Sequence, residues 1–144
     1  MVKILFLFLI LILIKFKFIK DTVTEADGDY QGYDGLNPGV VLRVNAPSEA
    51  HIALMAVPFV AIPRIEIFIG MANNTRSAIR KNGAATDVVN IPTPNILVSG
   101  RFNDFRVVWA NFMISVFRAN QEFPFMVWNM DEFWPIENYA LRTL

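Results

Sequence analysis

The chain has 144 residues, in which 13 lysines and arginines balance 13 aspartates and glutamates, with one histidine and no cysteine. That length accommodates one domain of ordinary size. Neutrality argues against the basic face that nucleic acid demands, and the missing thiols rule out disulfides, thiol catalysis and cysteine-based zinc sites.

Ile4 to Ile14 is an unbroken apolar run, preceded by Lys3 and followed by Lys15, Lys17 and Lys20. A helix needs about 20 apolar residues to span a bilayer, whereas the apolar core of a secretory signal peptide needs roughly 7–15. Residues 1–26 are therefore read as an apolar signal helix with its flanks. Thr24-Glu25-Ala26 offers small residues for a cut before Asp27, and an uncleaved segment is the one expected membrane contact. The expected location is extracellular. Beyond residue 26 the chain keeps nine basic and eleven acidic residues, so it stays near neutral.

Residues 27–39 form a lead-in crowded with Asp27, Gly28, Asp29, Gly32, Asp34, Gly35, Pro38 and Gly39, a composition that predicts turns. Asp27 and Asp29 imitate the opening of a calcium loop. The twelfth position, however, is Pro38 where a bidentate glutamate is required.

Residues 40–144 read as a β-sandwich domain. Val40, Leu42 and Val44 alternate with Val41 and Arg43, the period of two of a half-buried strand. Ile65, Ile67 and Ile69 alternate with Glu66 and Phe68. Thr75 to Lys81 reads as a strand that puts Arg76, Ala78 and Arg80 on one face. The Asn82-Gly83 pair after it signals a hairpin, because both residues tolerate positive φ. Phe105, Val107 and Trp109 share a face, and Phe112, Ile114 and Val116 continue them after a turn at Ala110-Asn111. Eight prolines divide the chain too often for long helices. Many short β-branched and aromatic strands predict an all-β, antiparallel, jelly-roll-like sandwich.

Catalytic patterns are sparse. His51 is the sole histidine, so a zinc site of two or three imidazoles cannot be assembled, and no Gly-x-Ser-x-Gly elbow presents a serine. The glycines match neither dinucleotide nor P-loop spacing. No catalytic residue, metal ligand or cofactor site is assigned. The residues kept as a candidate ligand face are His51, Arg76, Arg80 and Trp128. Trp109 is expected in the core, where a tryptophan contributes large buried area; the sequence does not decide Trp134. Asn73-Asn74-Thr75 is an N-glycosylation acceptor at Asn73.

Several stretches resemble the farnesoic acid O-methyltransferase domain family. They are Ala50-His51-Ile52-Ala53-Leu54, then Glu66 to Gly70 with Asn74 to Arg80, Phe105 to Trp109, Pro124 to Trp128, and Tyr139 to Thr143. The resemblance covers residues 40–143. Met71-Ala72-Asn73 stands where the family carries Gly-Trp-Gly, and a further Gly- and Trp-rich family strand has no counterpart before Leu144, so the domain is expected to be short of its last strand. The family name implies methyl transfer from S-adenosylmethionine to a terpenoid acid. The usual α/β cofactor sheet with its Gly-rich turn is not legible here, and a related use as an extracellular module fits the residues better. The leading expectation is a secreted module binding a carbohydrate, a lipid-like molecule or a protein. The alternatives are the methyltransferase and a structural protein with no small ligand.

Overall fold

The computed structural model describes residues 20–25, 31–34, 39–56 and 64–143; the apolar signal segment and the expected cut before Asp27 lie outside them. Among the described residues eleven strands form two sheets. The first has five strands in the order β1 (Lys20–Glu25), β3 (Gly39–Asn45), β8 (Asn103–Ala110), β9 (Met113–Arg118) and β10 (Met126–Asn129). The second has six, in the order β2 (Gln31–Asp34), β11 (Asn138–Thr143), β4 (Ala50–Met55), β5 (Arg64–Gly70), β6 (Arg76–Lys81) and β7 (Asp87–Pro92). Every neighbouring pair is antiparallel except β1 with β3.

The core follows from the period of two. Val40, Leu42 and Val44 of β3 and Phe105, Val107 and Trp109 of β8 point inward from the five-stranded sheet. Ile52 and Leu54 of β4, Ile65, Ile67 and Ile69 of β5, and Ile79 of β6 meet them from the other side. Two facing sheets pack about 10 Å apart, the thickness of two interdigitating layers of such side chains. Trp109 and Trp134 are both buried in this core, the former tilted against Tyr139 with ring centroids 6.3 Å apart.

One turn closes as the sequence predicts, and a second lies one residue further on. Asn82 and Gly83 both have positive φ (54° and 65°), with Ala84 N–H donating to the Lys81 carbonyl at 3.0 Å. Asn111 and Phe112 (53° and 60°) join β8 to β9, so Ala110 still belongs to β8 and Phe112, expected to share a face with Ile114 and Val116, sits exposed in the turn. The strand expected over Thr75–Lys81 forms as β6 from Arg76. One difference stands out: β1 and β2 lie where composition reads as a signal flank and a turn-rich lead-in. Each is an edge strand, held by backbone pairing to β3 or β11, which needs no apolar alternation in its own sequence.

Between β5 and β6 the chain makes a short helical turn at Met71–Asn74, left-handed at Ala72, Asn73 and Asn74 (φ 52°, 58° and 60°). Asparagine tolerates this region; alanine pays a steric penalty between Cβ and the following carbonyl. Ala72→Gly is expected to raise stability by about 1 kcal/mol, and Ile67→Ala to lower it by about 2–5 kcal/mol. Urea denaturation monitored by tryptophan fluorescence measures both.

Candidate functional site

The same alternation that buries the isoleucines sends their neighbours to the outer face of the six-stranded sheet, and strand register sets them in rows. Arg142 of β11 pairs with His51 of β4, His51 with Phe68 of β5, and Phe68 with Ala78 of β6. The adjacent row runs Ala140, Ala53, Glu66, Arg80 and Asp87. A third places Met55 beside Arg64. Small side chains at positions 53, 78 and 140 keep the polar groups close to the sheet. The result is three guanidiniums, two carboxylates and one imidazole on one face.

Glu66 is the centre. Its side chain is only 7% exposed, and Oε1 lies 3.3 Å from Arg64 Nη2 and 3.4 Å from His51 Nε2. Arg142 Nη2 lies 3.0 Å from His51 Nδ1. A guanidinium can only donate, so Nδ1 accepts and the imidazole proton sits on Nε2, facing Glu66. His51 also stacks on Phe68, with ring centroids 4.0 Å apart. On the other side of Phe68 the Arg80 guanidinium lies 4.8 Å from the ring centroid, while Arg80 Nη2 reaches Asp87 Oδ1 at 2.8 Å. Asn90 Nδ2 donates to Asp87 Oδ2 at 2.8 Å and holds that carboxylate in place.

The electrostatics agree with this tautomer. Burial first, and then the charges of Arg142, Arg64 and Arg80, lower the His51 pKa to about 3. The imidazole is therefore neutral near pH 7, and its contact with Glu66 is a long N–H···O interaction and not an ion pair. Glu66 Oε2 and Arg64 Nε are buried with no hydrogen-bond partner among the described residues. Leaving such atoms unmatched costs about 1–3 kcal/mol each.

Gly83 has a second role here beyond its turn. A Cβ at that position would stand 2.9 Å from Arg64 Nη2. The missing side chain thus lets the β6–β7 turn close over the guanidinium. Asn82 fastens the same place, accepting from Arg64 N–H at 3.0 Å through Oδ1 and donating its own N–H to the Arg64 carbonyl at 2.8 Å.

Of the residues singled out from sequence, the structure brings His51 and Arg80 together and leaves Arg76 exposed at the margin of the same face. Trp128 lies in the other sheet, on β10, packed against the core. Arg64, Glu66 and Arg142 were not singled out. The alternation of Glu66 and Phe68 with three isoleucines was the available signal for the first two; Arg142 enters only through long-range pairing. Among the described residues no three His, Asp or Glu side chains converge as a metal site.

Two antiparallel-rich sheets closing on one core define a β-sandwich. Sheep galectin-11, solved in complex with glycerol, has this fold with a TM-score of 0.57 and 12% identity, covering 80% of this chain and 89% of that one. The chain belongs to the farnesoic acid O-methyltransferase family, whose model matches residues 17–143. That match begins upstream of Val40, where the sequence motifs start, and takes in both β1 and β2. No curated protein matches the chain.

The His51 shift has a pH consequence. Its folded pKa lies below the unfolded value of 6.5, so the unfolded chain binds the proton more readily. The contribution is complete above about pH 6.5 and is lost as pH falls from there toward 3. Denaturation from pH 7 to 4 is expected to show His51→Gln gaining on the wild type as pH drops, by at most about 1.4 kcal/mol per unit.

Proposed function

We propose that the chain is an exported binding module that holds a carbohydrate-class ligand against the outer face of the six-stranded sheet. The observation that carries this reading is the complementary set at Glu66: an acceptor-only carboxylate oxygen and a donor-only guanidinium nitrogen, both buried and both without a partner among the described residues. A hydroxyl can donate to a carboxylate and accept from a guanidinium, sugars present hydroxyls in pairs, and a shift of the Arg64 side chain, which is 32% exposed, would open the buried pair to one. Arg64, Arg80 and Arg142 are half-buried, so each offers part of its guanidinium to solvent. The galectin-like neighbour, with its bound polyol, points to the same class of partner.

Methyl transfer, which the family name suggests, has less support from these residues. A group poised for general base work has a pKa near the working pH, and His51 sits far below it. The apolar run before Lys15 supports export. If export involves a cut, strand β1 argues for one that spares Lys20–Glu25, upstream of the cut that Thr24-Glu25-Ala26 suggests.

A glycan array probed with the exported protein is expected to show selective binding. Glu66→Gln and Arg64→Ala should each weaken it at least about tenfold, the scale of one hydrogen bond to a charged group. Calorimetry with S-adenosylmethionine is expected to be silent. A stoichiometric heat there, with an empty array, would replace this reading by the enzymatic one.

A further inference from the structure

We infer that Asn73 carries an N-linked oligosaccharide, an inference that rests on the export reading above. Asn73-Asn74-Thr75 is the one Asn-x-Ser/Thr triplet in the chain. The structure separates its two asparagines by task. Asn74 is half-buried and fully committed: Nδ2 donates to the Leu97 carbonyl at 2.6 Å, and Oδ1 accepts from the Leu97 N–H at 3.1 Å. That clamp fixes the β5–β6 turn onto the loop before β8. Asn73, at the apex, is exposed and left-handed (φ 58°). Thr75 is exposed as well, its hydroxyl donating to the Ala72 carbonyl at 2.7 Å across the turn. The modifiable amide and the hydroxyl that marks it are thus both at the surface, on a turn whose shape is held by other groups.

The donor is a polyprenyl-diphosphate oligosaccharide. The Asn73 amide nitrogen attacks its anomeric carbon, forming a C–N bond. The carbon–oxygen bond to diphosphate breaks, the diphosphate leaves with the electron pair, and one amide proton passes to a base. The turn lies at the Gly70 end of β5, six residues from Arg64 and so about 20 Å away at roughly 3.3 Å per residue.

The full chain, expressed in eukaryotic secretory cells, tests this by intact mass of both medium and cell lysate. A mass step removed by an amidase that cuts the asparagine–glycan bond is expected. It should be absent in Asn73→Gln and Thr75→Ala, and kept in Thr75→Ser. Unmodified chain in the medium overturns the inference and leaves export standing. Unmodified chain confined to the lysate overturns both, whereas glycosylated chain confined to the lysate supports the glycan and overturns secretion.

Discussion

The pairing of β4 with β5 is the constraint on which both the core and the candidate site depend. Ile52 opposite Ile67 and Leu54 opposite Ile65 put two apolar pairs inside. The intervening pairs, His51 opposite Phe68 and Ala53 opposite Glu66, must then lie outside. A slip of one residue in β5 would carry Glu66 and Phe68 into the sandwich and Ile65, Ile67 and Ile69 out of it, and one in β4 would carry His51 in and Ile52 and Leu54 out. Desolvating an unpaired carboxylate there costs several kcal/mol, so the hydrophobic register is also what positions the polar cluster.

Burial then decides the chemistry of that cluster. With three guanidiniums nearby, Glu66 has cationic neighbours and His51 has no reason to protonate. The imidazole becomes a fixed relay of hydrogen-bond direction, accepting from Arg142 and presenting its N–H toward Glu66. Phe68 gives the arrangement rigidity, with a ring on one side and a cation on the other. Such a set presents ordered donors and acceptors.

Much of the sandwich was legible in the sequence because its strands alternate cleanly. Residues 40–44, 65–69 and 105–109 declare their inner faces, and Asn82-Gly83 declares a hairpin. The edge strands did not show, since β1 and β2 depend on the partner they pair with and not on a pattern of their own. The site was legible only in fragments. His51 and Arg80 could be singled out, but nothing local says that Arg142 joins them from 91 positions away. Trp128 looked equally available and lies in the opposite sheet, because period-two reasoning assigns faces within a strand and leaves open which sheet the strand enters.

The two turns flanking β5 show how the same local chemistry serves different ends. At Asn82-Gly83 the lack of a side chain matters twice, once for positive φ and once for the space Arg64 Nη2 takes. At Ala72-Asn73-Asn74 the left-handed path is held by a side chain instead, Asn74 bonding both ways to Leu97. The first turn therefore presses onto the polar face and shapes it. The second is tied to the inter-sheet loop, which leaves the side chain of its apex residue facing solvent. A side chain without a packing role can carry a large modification without cost to the fold, whereas any group added at Gly83 would displace the guanidinium beside Glu66. The asymmetry separates an Arg64 end, where the turn packs on charged side chains, from a Gly70 end, where it leaves one side chain in solvent.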